Sequence, residues 1–254
     1  MTGASIPWYV EFFGDDYLRV YADRLTDEHT EAEVAFVERA LGLKPGDAVL
    51  DLCCGQGRHA ILLAKHGVHA TGQDLSERYI ADARRLAAGQ GVDAAFVVGD
   101  MRRIDGVERY DAVINMFTAF GYLEADADNA QALRAARRAL KPGGRILIDS
   151  LNREWVLANQ TPEERHERED GAVVIERRAF DQAAGRNHVT FEVLEADGAR
   201  RQAGGHHIRL YSLEEMRALL EEAGLAYERA YGGYDAAPYA PPSRRMIVVA
   251  RKPA

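Results

Sequence analysis

The chain has 254 residues, 47% of them hydrophobic and 28% charged, with a formal net charge of −8. This composition belongs to a folded protein with one substantial core and room for a small appended lobe, and the acidic balance argues against a nucleic-acid-binding face. The two cysteines, Cys53 and Cys54, are adjacent, which suits neither disulfide geometry nor a metal site, so we expect reduced thiols, no metal and a cytoplasmic protein.

The chain starts MTGASIPWYVEFFGDDY, without the basic start and apolar stretch of a secretory signal. No apolar run reaches the roughly 18 residues of a membrane span. Residues 1–45 read as helical, with Trp8, Tyr9, Phe12, Phe13, Tyr17 and Tyr21 gathered at the start. Lys44–Asp47 is a turn signal, followed by AVLDL (48–52), a short apolar run typical of a strand buried on both faces. A helix follows as far as Gly67, then the strand VHATG (68–72) and a helix capped by Ser76. AAFVV (94–98) and DAVIN (111–115) are further strands; a helix to about Leu140, the turn Lys141–Gly144 and the strand RILIDS (145–150) come next. Strands alternating with helices build a parallel sheet with right-handed crossovers. Within 151–210, three stretches alternate apolar and polar residues, as in an antiparallel sheet solvated on one face. Ser212 and Glu215 form a capping box, and LAYERAY (225–231) and RMIVVAR (245–251) close the chain as strands.

The loop after the first strand reads D-L-C-C-G-Q-G, from Asp51 to Gly57. Glycine lets a backbone take φ > 0 or approach a ligand closely. The helix that follows offers unpaired N–H groups and the positive end of its dipole. Asp74 ends the second strand, where an acidic residue can accept hydrogen bonds from both hydroxyls of a ribose. Asp100, in V-V-G-D-M-R, can accept from an exocyclic adenine amine, with Met101 as an apolar wall. A dinucleotide site normally takes G-x-G-x-x-G; here the third glycine position holds Ala60, which weakens a nicotinamide reading without removing it.

In this order and spacing, VLDLCCGQGRHAILLAKHGVHATGQDLS, GDMR, DAVINMFTAFGYL and LKPGGRILID resemble the class I S-adenosylmethionine-dependent methyltransferases of small molecules. The resemblance covers roughly residues 30–150 and the closing elements at 211–251. It implies an α/β, Rossmann-like, seven-stranded and mostly parallel sheet with helices on both faces, plus a small antiparallel β lid inserted after the fifth strand. The parts are an N-terminal helical aromatic cap (1–45), a cofactor-binding core (46–150), the inserted substrate lid (151–210) and the end of the core (211–254). The implied cofactor is S-adenosyl-L-methionine, with S-adenosyl-L-homocysteine as product. The resemblance puts Asp51 near the methionine end of the cofactor, Gly55 and Gly57 along its chain, and Asp74 on the ribose. It puts Leu75 against adenine, Asp100 and Met101 at the adenine edge, and the carbonyl of Asn115 near the methionine amine. Cys53 stands in this cofactor loop where the family pattern has its first glycine.

The substrate end is less marked. Tyr9, Phe13 and Tyr17 are expected to form a lid, since aromatic faces attract a sulfonium cation. Arg19 and Arg24 are candidates for the methionine carboxylate. Candidate catalytic residues are Tyr122, after the fourth strand; His206 and His207, which titrate near neutrality; and Tyr234, on the linker YGGYDAAPYAPPS. Neighbours on a strand face opposite ways, so at most one of the two histidines serves. His59 is read as structural. The expected reaction is direct in-line transfer of a methyl group to an N or O atom of a small molecule. No nucleic-acid or membrane partner is expected, and the protein is read as a monomer or homodimer. The alternatives are a non-catalytic protein that binds the same cofactor and, last, an NAD(P)-dependent oxidoreductase.

Overall fold

A computed structural model describes residues 7–254. It begins with α1 (Trp8–Glu11), α2 (Asp15–Val20), a 3-10 turn (Ala22–Arg24) and α3 (Asp27–Leu41). Thr26 caps α3 by accepting from the backbone N–H of His29 at 3.3 Å, and Gly42 ends it at φ 68°, where glycine carries no Cβ penalty. Strands and helices then alternate: β1 (Ala48–Leu52), α4 (Arg58–Lys65), β2 (His69–Asp74), α5 (Glu77–Gly89), β3 (Ala95–Val98), β4 (Tyr110–Asn115), α6 (Asp126–Ala139) and β5 (Leu140–Leu151). After α7 (Arg153–Asn159) come β6 (Glu163–Glu167), β7 (Val173–Asp181), β8 (Arg186–Leu194) and β9 (Arg200–Arg209). The chain returns through α8 (Leu213–Glu222), whose Ser212–Glu215 capping box is complete, to β10 (Ala226–Tyr231) and β11 (Arg245–Arg251).

Seven strands form one sheet in the order β10-β11-β5-β4-β1-β2-β3. Pairing is parallel from β3 to β5, and β11 runs antiparallel to both β5 and β10. The order reverses between β1 and β4, which leaves a crevice at the carboxyl ends of those strands. Alternate side chains feed the two faces. Val49, Ala112 and Leu147 pack with Val34 and Phe36 of α3, Leu63 of α4 and Ile80 of α5. Leu50, Val113 and Ile148 pack with Leu133 of α6 and Leu220 of α8 on the other face.

Two predicted boundaries move. The run Lys141–Gly144 is not a turn between helix and strand: β5 starts at Leu140. Tyr110 pairs with Leu140 and Ala112 with Arg145, so these residues form a bulge, which Gly143 at φ 78° permits. The insertion holds four antiparallel strands, β6-β7-β8-β9, and not three. The extra strand is Glu-Glu-Arg-His-Glu, an edge without apolar alternation, so no hydrophobic period announces it. The apolar side of this second sheet, with Val174, Phe191 and Val193, packs on Phe12 and Val20 from the N-terminal helices. That packing suspends the second sheet over the crevice of the first.

Candidate functional site

A cavity of about 320 Å³ lies at the carboxyl ends of β1–β4. Each strand contributes the residues just beyond it: Cys53 and Gly55 after β1, Asp74 and Leu75 at the end of β2, Asp100 and Met101 after β3, and Phe117 and Tyr122 after β4. Tyr9, Phe13 and Tyr17 close it from above. A second cavity of about 500 Å³ opens on the other side of Gly55 and shares Tyr17, Cys53 and Phe117 with the first, adding Arg58.

The glycine loop is built by left-handed residues. Cys53, Gly55 and Gly57 have φ of 65°, 54° and 78°. A Cβ on Gly57 would sit 2.5 Å from the ring of Phe96, whereas one on Gly55 would meet nothing within 4 Å and would project into open space. Gly57 is therefore needed by the packing, and Gly55 leaves a ledge against which a ligand can lie. The Asp74 carboxylate accepts from the backbone N–H of Gly55 and of Ser76, each at 2.9 Å. Burial raises its pKa against those two hydrogen bonds. Asp100 lies under a bidentate Arg102, whose hydrogen bonds keep its carboxyl below the usual range.

Several groups here lack partners of their own. Asp51 is 1% exposed, and its Oδ2 has no hydrogen-bond partner; burial raises its pKa. Asn115 donates to Leu52 O at 2.9 Å, but its own Oδ1 is unpartnered. Arg58 holds Glu33 while its Nη2 is buried without an acceptor. Leu75 and Val10 are 45% and 51% exposed on the cavity wall. Unsatisfied buried polar atoms at one end and bare apolar side chains at the other fit a ligand that is amino acid at one end and heteroaromatic at the other.

The predicted residues do not all meet. Asp74, Leu75, Asp100, Met101, Cys53, Gly55, Tyr9, Phe13, Tyr17 and Tyr122 line the first cavity. Asp51, Gly57 and Asn115 sit behind it. His206 lies under the second sheet, 7% exposed, with its Nε2 2.9 Å from the hydroxyl of Tyr21. Burial, then neighbouring His207 and arginines, push its pKa down to about 3, so it is neutral. His207 meets His188 at 2.7 Å, and burial and that neighbour lower its pKa. Tyr234 donates to Asp149 at 2.7 Å and packs against Phe36, outside the lining of either cavity. Arg19 is held by Glu195 and Asp170, in turns of the second sheet, each at 2.9 Å, so its charge is already met. The Nε2–H of His59 donates to the Glu33 carboxylate at 2.9 Å in the core.

Sequence reading missed Asp149, fully buried inside the apolar run of β5. It accepts from Phe117 N–H at 2.9 Å and is ion-paired to Arg245. Phe117 and Thr118 have φ of 56° and 63°, a costly conformation for a non-glycine and more so for a β-branched residue. Asp149 thus pins a strained loop at the cavity wall; the signal was a carboxylate inside an otherwise apolar strand. On the second sheet Glu164, His166 and Glu176 come together. Arg178 bridges both carboxylates at 2.9 and 2.7 Å, so their charge is already met.

Residues 49–144 match a family model described as a methyltransferase domain. The dTDP-3-amino-3,4,6-trideoxy-alpha-D-glucopyranose N,N-dimethyltransferase of Streptomyces venezuelae is 28% identical over 229 residues, 86% of this chain and 92% of that protein. The CcbJ methyltransferase of Streptomyces caelestis superposes with a TM-score of 0.83 at 27% identity, covering 96% of this chain and 98% of that one. The S-adenosylmethionine-bound CalS10, an amino pentose methyltransferase from Micromonospora echinaspora, shares the fold with a TM-score of 0.72 at 21% identity, over 94% and 97% of the two chains. These likenesses set aside the nicotinamide alternative.

Proposed function

The chain belongs to the class I S-adenosylmethionine-dependent methyltransferases, and we propose that it methylates an uncharged amine nitrogen of a small molecule. The cofactor, when bound, supplies a methyl group already activated by its sulfonium. What remains for the protein is to hold the nucleophile in line, which is a positioning task.

In this reading Asp74 holds the ribose, and Leu75, Asp100 and Met101 surround adenine. Arg58, with its free Nη2, lines the adjoining cavity at the methionine end, and Asp51 and Asn115 sit behind the wall there. The methyl group then points toward a constriction of Phe13, Tyr17, Phe117 and Tyr122, residues shared between the cofactor cavity and a smaller one of about 90 Å³ under the second sheet. Phe13 lies 4.8 Å from Tyr17 and 5.4 Å from Tyr122, ring to ring.

The observation that carries the choice of nitrogen is the chemistry of this constriction. Burial pushes the phenols of Tyr17 and Tyr122 well above their usual range, so they stay neutral. His206, beyond them, is held neutral by burial, its pKa lowered to about 3, too low for an effective base. A hydroxyl acceptor needs a base here; an amine needs only its lone pair. Burial among aromatic rings, with Arg24, Arg244 and Arg245 beside the same cavity, favours the neutral form of an amine. The activity of the Streptomyces venezuelae relative, N,N-dimethylation of a dTDP-linked amino sugar, agrees with this choice.

The test begins with calorimetric titration by S-adenosylmethionine and S-adenosylhomocysteine, with Asp74→Ala as control. We expect a loss of affinity of at least about tenfold, or about 1.4 kcal/mol. Labelled methyl transfer to amine and hydroxyl acceptors follows. Transfer to amines should rise with pH through the acceptor's own pKa. Turnover of a hydroxyl acceptor with an ionisation belonging to the enzyme would sink the choice of nitrogen.

A further inference from the structure

Beyond the aromatic constriction the 90 Å³ cavity continues into one of about 230 Å³ between the two sheets. The two share Tyr21, Arg24, Leu151, His206 and Arg244. The smaller cavity has three arginines on its wall, Arg24, Arg244 and Arg245, and no acidic residue among those lining it. Arg245 is satisfied by Asp149, and Arg178, in the larger cavity, by Glu164 and Glu176. Among the described residues, neither Arg24 nor Arg244 has an ion-pair partner or a side-chain hydrogen bond. Each is steadied on an aromatic face instead, Arg24 over Tyr21 at 5.5 Å and Arg244 over Trp155 at 5.4 Å.

Like charges gathered here oppose one another, and Glu164 of the larger cavity offsets this only in part. Burial, and after it Arg24, Arg245 and Arg178, lower the pKa of Arg244. An anion between the two free guanidinium groups would relieve that repulsion and be held by charge-assisted hydrogen bonds. Two further buried groups lack partners at the same place. Nδ1 of His206 and Oδ1 of Asn187, on residues 7% and 4% exposed that line the larger cavity, have no hydrogen bond. Nδ1 of His206 can donate to the anion when its Nε2 accepts from the Tyr21 hydroxyl, whereas Oδ1 of Asn187 only accepts and would meet an N–H or O–H of the ligand.

We infer that the methyl acceptor carries an anionic group, a carboxylate or a phosphate, which Arg24 and Arg244 receive beneath the second sheet while its amine enters the aromatic constriction. This inference rests on the methyltransferase reading above. It narrows the acceptor to amino compounds with an acidic group at their other end.

The test uses the full chain loaded with S-adenosylhomocysteine, titrated calorimetrically with inorganic pyrophosphate, 4-aminobutyrate and butylamine. We expect at least one of the two anions to bind and butylamine not to. Pyrophosphate alone points to a phosphate, 4-aminobutyrate alone to a carboxylate. Arg24→Gln and Arg244→Gln should each weaken the bound anion by about tenfold or more, the size of a charge-assisted contact. Their affinity for S-adenosylhomocysteine should not change and their melting temperatures should change little, since each loses only its contact with one aromatic face. The Lys variants should retain most of the binding, and Arg134→Gln, on the outer surface, all of it. If neither anion binds a protein that does bind S-adenosylhomocysteine, or if both Gln variants bind as wild type, the anionic acceptor is overturned and the methyltransferase reading stands. Failure to bind S-adenosylhomocysteine overturns both.

Discussion

Cys53 holds φ at 65° in a position where glycine would sit without strain. A non-glycine residue there costs on the order of 1 kcal/mol. Cys53→Gly is therefore expected to melt at or above the wild-type temperature by scanning calorimetry, with cofactor affinity kept because the backbone path is unchanged. Burial raises the pKa of both neighbouring thiols, so iodoacetamide at pH 8 should leave Cys53 and Cys54 unmodified until the protein is denatured, as read by mass spectrometry. His206 gives a prediction of opposite character. Its folded pKa of about 3 lies below the ordinary 6.5, so the unfolded chain takes up the proton first and folded stability falls as pH drops through 6.5. At pH 5 that loss is about 2 kcal/mol. His206→Gln removes it: the variant should be the less stable at pH 7.5, and the gap should close toward pH 5 in urea titrations. Cys53, Asp74 and Asp100 were legible because a glycine pattern and strand ends fix their place. His206 was legible only as a titratable type, since its neutrality comes from Phe12, Phe191 and Trp8 around it.

Glu33 joins two elements. It sits on α3, 4% exposed, and binds Arg58 and His59 at the start of α4. Burial raises its pKa, but the hydrogen bond and charge of His59 and the charge of Arg58 outweigh it and bring the carboxyl down to about 2 from 4.5. A depressed carboxylate contributes stability above its unfolded pKa and loses it as pH falls from about 4.5 toward 2. Glu33→Gln should cost on the order of 3 kcal/mol at pH 7. By pH 3.5 the difference from wild type should have shrunk by about 1.4 kcal/mol, measured by chemical denaturation at the two pH values. A pH-independent difference would show that packing, and not charge, joins the helices. The strands β1–β5 were readable because burial on both faces gives uninterrupted apolar runs. β6 was not: its residues are charged, and only pairing with β7 makes it a strand.

The whole molecule is two sheets bridged by the N-terminal helices. Phe12, 4% exposed, stacks on Phe191 of β8 with ring centres 5.8 Å apart and packs beside His206. Phe12→Ala is expected to cost about 3 kcal/mol and to act on the second sheet more than the first. Limited proteolysis should speed up within residues 160–210 while amide exchange in β1, β4 and β5 is unchanged. Equal acceleration in both sheets would mean that they open as one unit. Among the described residues no helix is long and apolar enough to cross a membrane.

Sequence by itself determined the fold and the proposed cofactor half of this protein. A glycine loop, two strand-end aspartates and the alternation of strand and helix are local patterns, each imposed by backbone geometry within a few residues. Only the tertiary structure brings together the proposed acceptor half. Its wall takes Arg24 from the N-terminal turn, Phe117 and Tyr122 from the loop after β4, His206 from the second sheet and Arg244 from the last linker. Each of these alone reads as a surface charge or a core aromatic. Their meaning comes from convergence, and convergence is set by which faces pack, a long-range consequence of burying apolar surface that leaves no short-range mark in the chain.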